Sequence, residues 1–388
     1  MFHFAVAAVA VVILAPGLVT ALHLGLMATA SVFFRAPTWK GDAPRVRFLV
    51  VIPAHNEELL LGRTLEAINA DKRGDDQVLV VDDRSTDRTG EIAREHGAVV
   101  LTRVEGEEPG RAPARQAAIR RSAEMEWDAM VMVDADSVIE HGFFAECEQA
   151  LGAGAVALQA RSEAARGSRM VDQAALASFA IQGVTLPRGR EVLRAPVRLR
   201  GTGMVLRRDV LERLDFRAKA SEDLQVSLDL VQEGVRTRHV ERARLRSANA
   251  DSWKIASTQK QRYEAGRMAA AREFVPKLLR CRSWAGLEAA WFLVSPPFAT
   301  AAGLTVLGTL VALLVGAWPV VWVGVGAVGL LGLAFTIASV QARVGWRVLL
   351  ALAVAPFYVA WKLIVQLKAL LRLRGGLKEF GSTERVAK

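Results

Sequence analysis

Apolar positions along this chain fall into three regimes. From residue 2 to residue 34 no Asp, Glu, Lys or Arg interrupts them. As a helix at about 1.5 Å per residue that run spans roughly 50 Å, against about 30 Å of bilayer hydrocarbon. Residues 1–35 are therefore expected to form an N-terminal transmembrane helix. Ala28-Thr29-Ala30 resembles a leader cleavage site, but no basic residue precedes the run and it is too long for a signal peptide, so it reads as an uncleaved span. His3 and His23 within it read as interfacial or packing residues.

A second apolar block runs from Trp284 to Leu371, broken by Gly316-Ala317-Trp318-Pro319 and by the stretch from Gln341 to Arg347. It predicts spans over roughly 286–315 and 319–340. The uncharged first break suits the outer side of a membrane, and the second, holding Arg343 and Arg347, suits the cytoplasm. Pro356 interrupts the last apolar segment, while Trp361, Lys362 and Lys368 have the character of interfacial anchors. From about residue 347 an in-plane or re-entrant helix is therefore expected, which keeps the basic tail cytoplasmic. The C-terminal membrane region as a whole is 285–388.

Residues 45–280 have a different grain: short apolar runs separated by charged ones, the pattern of a domain with its own core. Val46 to Ile52 is nearly all apolar and ends at Pro53, as a strand buried on both faces would. A helix is expected next, with Asn56 as its cap and Leu60, Leu61, Leu65 and Ile68 on one side. Further strands are expected at Gln77–Val81, Ala98–Leu101 and Ala129–Val133, alternating with helices that begin at Ser85-Thr86-Asp87 and span Ala112–Met125. Such alternation predicts an α/β domain with a mostly parallel sheet covered by helices.

Composition narrows the setting. The 388 residues carry 50 Lys and Arg against 40 Asp and Glu, a net charge of +10. Part of the excess flanks the apolar blocks. Another part, Arg188, Arg190, Arg194, Arg198, Arg200, Arg207 and Arg208, reads as a face toward anionic headgroups or a phosphorylated lipid. No recognition motif accompanies the charge, which argues against a nucleic acid polymer as partner. Cys147 and Cys281 have no metal-ligand spacing and cannot frame a disulfide scaffold, as suits a reducing cytoplasm.

Candidate chemistry lies where the strands end. Asp134-Ala135-Asp136 directly follows the apolar run Met130–Val133; the intervening residue reverses side-chain direction twice, so both carboxylates can aim at one side of the strand tip. Together they can hold a hard divalent cation through oxygen ligands, and such a cation neutralises a diphosphate. Pro53 to Glu57 and Asp82-Asp83 end the neighbouring strands, and in parallel sheets ligands bind beyond those ends. No G-x-G-x-x-G or G-x-x-x-x-G-K-[ST] is present, which leaves a dinucleotide cradle and a P-loop unsupported. A nucleotide sugar fits a carboxylate-rich edge.

Val51-Ile52-Pro53-Ala54-His55-Asn56-Glu57-Glu58, Val80-Val81-Asp82-Asp83-Arg84-Ser85-Thr86-Asp87, Val133-Asp134-Ala135-Asp136, Ser221-Glu222-Asp223 and Gln259-Lys260-Gln261-Arg262-Tyr263 occur in that order. They closely resemble the motifs of the family 2 inverting glycosyltransferases, the membrane-embedded group that includes cellulose, chitin and hyaluronan synthases. The resemblance covers nearly the whole chain, since those synthases also set the catalytic domain between an N-terminal span and a C-terminal cluster. It implies a GT-A fold, Rossmann-like and mostly parallel, for residues 45–280, flanked by transmembrane helices.

Carried over position by position, the resemblance implies that Pro53, His55, Glu57 and Asp83 contact uridine and its ribose. Asp82 either joins them or only closes its strand. Asp134 and Asp136 meet the sugar diphosphate, with Asp136 the preferred ligand for Mg2+ or Mn2+. Glu222 and Asp223 form the catalytic motif, and Asp223 is the candidate general base, because inversion needs a carboxylate on the acceptor's side of the anomeric carbon. The same Ser221-Glu222-Asp223 also reads as a helix start. Gln259, Arg262 and Tyr263 line the acceptor site beside the diphosphate, with Tyr263 in place of the family's usual Trp. Gly201-Thr202-Gly203 resembles a Gly-Thr element at the acceptor pocket. Arg111 stands near a position where many relatives have Lys, and either meets phosphate or caps a helix.

The expected activity is inverting transfer of a hexose or N-acetylhexosamine from a UDP-sugar to a membrane-presented acceptor, foremost in polysaccharide synthesis. Single-sugar transfer to a lipid is the second reading, and a non-catalytic component of a polysaccharide assembly complex the third. The expected partners are the UDP-sugar, a lipid-linked or polysaccharide acceptor, the bilayer and proteins of an export complex. The expected location is the inner, cytoplasmic membrane, with several spans and the catalytic domain facing the cytoplasm.

Overall fold

A computed structural model describes residues 2–39, 45–104, 108, 110–214, 222–249, 253–345 and 348. Eight strands form one sheet: β1 Phe48–Ala54, β2 Gln77–Asp83, β3 Val99–Arg103, β4 Ala129–Met132, β5 Ser137–Ile139, β6 Ala157–Ala164, β7 Met204–Arg207 and β8 Arg238–Ser247. Their order is β3-β2-β1-β4-β7-β6-β8-β5. β3, β2, β1 and β4 are mutually parallel, β7 runs against both β4 and β6, β6 and β8 are parallel, and β5 opposes β8. The mostly parallel α/β sheet expected from the alternation is present.

Strand β1 shows why its sequence is almost wholly apolar. Phe48, Val50, Ile52 and Ala54 enter one core, against Leu61, Leu65 and Ile68 of the helix Leu61–Asp71 and against Phe143 and Phe144. Leu49 and Val51 enter the other, with Ala114 and Ala118 of the helix Arg111–Ser122 and Val226 and Leu230 of the helix Glu222–Gln232. A side chain of this size contributes about 1.5–3 kcal/mol when fully buried, so a polar residue anywhere in β1 would be costly on either face.

Among the described residues two helices are long and apolar enough to cross a membrane, His3–Val32 and Trp318–Gln341. The span expected over 286–315 is instead two helices, Trp284–Val294 and Phe298–Leu314, bent by 71°. The physical reason is Pro296-Pro297: consecutive prolines remove two amide donors and force the preceding residues out of helical geometry. Arg267 closes the exposed end of the first piece by donating to the Phe292 and Ser295 carbonyls at 2.9 and 2.6 Å. The helix expected after residue 347 lies outside the described residues.

Small residues let these helices approach closely. Gly17 faces Ala301 and Thr305, Gly308 faces Ala10 and Leu14, and Gly324 faces Thr309, each without room for a Cβ. The apolar bundle is fixed to the α/β domain by the segment after β6. Met170–Phe179 is α-helical, Ala180–Thr185 takes a π-helical turn and Leu186–Val192 returns to α. Thr185 Oγ1 donates to Gln341 Oε1 at 2.9 Å, and Gln341 Nε2 donates to Ser31 Oγ at 2.9 Å. The C-terminal ends of both long helices thus meet at the π-helical turn, while Gly189 lies directly against the Met27 backbone.

Candidate active site at the sheet edge

Because β1, β2 and β4 are parallel, their C-terminal ends share one edge. β7 runs against β4 with Met204 opposite Met132, so the Gly201-Thr202-Gly203 segment before it arrives at the same edge. Ala135 is buried in the core, while Asp134 and Asp136 on either side stay partly exposed. The two carboxylates therefore leave the strand on its open side, as the alternation requires.

The β1–β2 side is densely tied. The Asn56 amide donates to Ser85 Oγ at 3.1 Å, Asn56 Oδ1 accepts from the Thr86 amide at 2.8 Å, and the Glu57 amide donates to Thr89 Oγ1 at 2.8 Å. Asn56 is thus no helix cap. It adopts φ +52°, a left-handed turn that Asn tolerates through local hydrogen bonding, and the helix starts only at Leu61. The next helix likewise starts at Thr89, later than Ser85, with Asp87 Oδ1 accepting from the Thr89 amide at 3.0 Å.

Within this frame Pro53 is a buried β1 residue paired with Val81, and His55 Nδ1 lies 2.7 Å from the Asp83 carbonyl. The Asp83 carboxylate is buried and accepts from the Arg103 guanidinium and the Gly110 amide, both at 2.8 Å. Asp82 turns the other way: it accepts from the Ser85 amide at 3.0 Å and backs onto Gly90, where a Cβ would collide with it. Its position is that of a turn-closing residue.

Arg115 dominates the β4–β7 side. It is the largest fully buried side chain among the described residues, and one guanidinium joins three elements. It donates to Asp134 Oδ1 at 3.2 Å, to the Gly201 carbonyl at 2.6 Å, and to the Glu222 carboxylate. Arg111, one helical turn earlier, donates to Asp134 Oδ2 at 3.1 Å; it neither caps its helix nor stands apart from the acidic edge. The Asp134 amide donates to Thr202 Oγ1 at 3.2 Å, and Asp136 Oδ1 accepts from Ser137 Oγ at 3.3 Å.

Glu222 and Asp223 open the helix that ends at Gln232, so the helix-start reading and the site reading coincide; Ser221 lies outside the described residues. Asp223 Oδ1 accepts from the Leu224 amide at 2.9 Å. Gly201, at φ +79°, brings its backbone against Asp223 Oδ2 and Arg115, an approach and a dihedral that favour glycine. Burial pushes the Asp223 carboxyl up to about 6, the neighbouring Glu222 carboxylate adds to the rise, and Arg115 opposes it. A carboxyl near 6 accepts a proton more readily than an ordinary aspartate does.

The arginine cluster is not one continuous charged surface, although Arg194 stays exposed. Arg188 pairs with Glu241, Arg190 with buried Glu288, Arg207 with Asp209 and Arg208 with Glu212; these carboxylates draw them into the domain or onto its own surface. Arg198 and Arg200 lie inside on aromatic faces, Arg198 3.4 Å from the Phe292 ring centroid and Arg200 4.9 Å from that of Phe179. Tyr263 lies close enough to act electrostatically on both. The helix Trp253–Arg280 carries Gln259, Arg262 and Tyr263, but the side chains of Gln259 and Arg262 lie outside the described residues.

The structure therefore draws His55, Asp83, Asp134, Asp136, Gly201–Gly203, Glu222 and Asp223 to one edge. It adds three residues that sequence reasoning missed: Arg103, Arg115 and Gln159, whose side-chain amide accepts from the Arg200 amide and donates to the Thr202 carbonyl, both at 2.9 Å. Arg115 had a signal: it stands four residues after Arg111 on one helix, with only Ala112, Pro113 and Ala114 between them, so the two cations share a face.

Known proteins agree with this architecture. A 264-residue stretch covering 63% of the chain is 26% identical to the "Probable glycosyltransferase YdaM" of Bacillus subtilis, and spans 61% of that relative's length. A 55-residue stretch, 14% of the chain and 22% of the relative, is 46% identical to the "Uncharacterized protein MJ1222" of Methanocaldococcus jannaschii. Among solved structures, a mannosyltransferase from Pyrobaculum calidifontis in complex with GDP-Man and Mn2+ superposes with a TM-score of 0.53 at 18% identity, over 87% of this chain and 99% of its own, and shares the fold. Residues 44–266 match the family described as "Glycosyltransferase like family 2", and with more than half of its length so matched the chain belongs to that family.

Proposed function

We propose that this protein catalyses inverting transfer of a hexose or N-acetylhexosamine from a UDP-sugar to an acceptor presented at the bilayer. The observation that carries the reading is Asp223: a carboxyl raised to about 6, at a helix N-terminus, joined through Arg115 and Gly201 to the Asp134 edge. In this arrangement the nucleoside lies along His55, Glu57 and Asp83, the diphosphate lies against Asp134 and Asp136, and the acceptor enters from the Asp223 side. As the acceptor oxygen bonds to the anomeric carbon, the bond to the leaving diphosphate breaks and the hydroxyl proton passes to Asp223.

The donor set suits a hard divalent cation. Among the described residues no group of three His, Cys, Asp or Glu side chains converges to hold a metal alone. One or two carboxylates completed by diphosphate oxygens and water are the usual Mg2+ arrangement. Asp136 is the preferred ligand in this reading, while Arg111 and Arg115 hold both oxygens of Asp134. A bound cation offsets the charge that develops on the leaving diphosphate.

Attachment to the membrane fits an acceptor held by its apolar end, with the catalytic domain on the cytoplasmic side of the inner membrane. Polysaccharide synthesis within an export complex would need a path for polymer. The described apolar helices close on one another through Gly17, Gly308 and Gly324, and this packing favours one sugar added to a lipid. The test is a panel of UDP- and GDP-sugars with the purified full chain, Mg2+ or Mn2+ and membrane lipid. Cation-dependent release of nucleoside diphosphate with a product one hexose heavier supports the reading. A ladder of products would replace it with polymerisation, and no release with any donor would favour a non-catalytic role.

A further inference from the structure

Arg198 and Arg200 are cations without carboxylate partners in a protein that pairs most of its buried arginines. Among the described residues Arg103, Arg115, Arg161 and Arg190 each meet an acid. No ion pair or hydrogen bond among those residues involves the guanidinium of Arg198 or of Arg200, and Arg198 Nε is shielded from solvent without a hydrogen-bond partner. Each guanidinium instead rests on a ring, Phe292 or Phe179. Stacking of this kind offsets part of the cost of desolvating a guanidinium and leaves its in-plane N–H groups free to bind an anion.

Their position says which anion. Arg200 directly precedes Gly201 and acts electrostatically on Asp223, so it borders the acceptor side of the site. Arg198 reaches the other way. Phe292 belongs to the helix Trp284–Val294, and Glu288 of that helix binds Arg190 and lies 3.7 Å from His23 Nε2 in the first long apolar helix. The two guanidiniums thus stand between Asp223 and the apolar helices. Neighbouring Arg190 takes the direct contact with Glu288, which reaches Arg198 only at longer range, so the positive charge without an ion pair lies at Arg198 and Arg200. Burial lowers both cations, Arg198 to about 9, and a bound anion would reverse that effect.

We propose that Arg198 and Arg200 bind a phosphate carried by the lipid acceptor, a phosphodiester lipid whose free hydroxyl then reaches Asp223. The inference rests on the membrane-acceptor reading above and names its substrate class. The same chemistry could serve the donor's diphosphate, and the experiment separates the two sources.

Binding is measured without donor, using the full chain in dodecyl maltoside micelles. The probes are lysophosphatidylglycerol, which has a phosphate and free hydroxyls, and monoacylglycerol, which has the hydroxyls alone; UDP with Mn2+ is titrated separately. The expected result is a preference of about tenfold or more for the phosphate-bearing lipid, the scale of one charge-assisted hydrogen-bond pair. R198Q should remove that preference and R198K retain part of it, with UDP affinity within about twofold in both. Equal binding of the two lipids by the wild-type chain overturns the proposal, and that comparison needs no variant to fold. A loss of UDP affinity in R198Q with lipid preference intact also overturns it, assigning the cations to the donor. Sugar transfer is not measured, so a failed donor panel and a failed lipid preference are separate results.

Discussion

The two halves of the sheet edge are built on opposite electrostatic plans. On the β1–β2 side the aspartates have local donors: Asp83 has Arg103 and the Gly110 amide, Asp82 has the Ser85 amide, Asp87 has Thr89. On the side of β7 and the Glu222–Gln232 helix, Asp223 is raised by burial while Arg198 and Arg200 make no direct ion pair among the described residues and rest on Phe292 and Phe179. In the proposed function the first half is a finished mould for the nucleotide, whose shape is the same in every catalytic cycle. The second holds charge at a cost in stability, which is how sites that await a charged or proton-bearing partner are commonly made. Arg115 is the hinge between the plans, since it touches Asp134 on one side and Glu222 on the other.

Substitutions can break that contrast in graded steps. D223N should lower sugar transfer by about 10²–10⁴-fold, the usual contribution of a general base, with UDP affinity unchanged; retained turnover in a product assay would remove Asp223 from the chemistry. R115M should cost about 3–5 kcal/mol, because it leaves the Asp134 and Glu222 carboxylates without their shared buried cation. A thermal midpoint equal to wild type would show that the halves are not coupled through this residue. D83N should weaken UDP about tenfold or more, as expected when a buried carboxylate loses charge-assisted hydrogen bonds, with little change in acceptor KM.

Acidity probes the contrast on a smaller scale. Asp223 must be ionised to take a proton, so kcat/KM should fall about tenfold per pH unit below its raised value of about 6 and level off above it. The stability effect has the opposite sense. A carboxyl raised above its unfolded value of about 4 stabilises the fold below that pH, and the contribution is lost as pH rises through about 6. A pH–rate limb centred near 4 would contradict the assignment. S31A should be the mildest change, about 1–2 kcal/mol from the two hydrogen bonds to the Ala28 carbonyl and Gln341, read as a small drop in melting temperature in detergent with UDP affinity unchanged.

Legibility divided along the same line. Strand β1, the acidic pair and Asp83 stood out because a strand buried on both faces must be continuously apolar, and because carboxylates at its end are conspicuous against that background. The helix starts at Leu61 and Thr89 did not, since Asn56 donates to Ser85 and accepts from the Thr86 amide across two loops, a pairing invisible to local capping rules. The seven arginines looked alike as a charge run. Asp209 and Glu212 stand near Arg207 and Arg208 in sequence, but only the fold shows that Glu241 and Glu288 neutralise Arg188 and Arg190 from 53 and 98 residues away. The segment expected as one span near residue 300 is bent by 71° at Pro296-Pro297, an effect on direction that hydropathy does not register.

That double proline has a consequence for selectivity. By turning the chain 71° it lets Trp284–Val294 lie across the path of the next helix, while Arg267 clamps its end and Phe292 carries Arg198. If the long apolar helices set the waterline, this crosswise helix works as a depth gauge: it fixes how far Asp223 stands above the hydrocarbon. An acceptor would then be chosen by reach as well as by chemistry, with headgroups that are too short never surfacing to the carboxylate and those that are too long overshooting it.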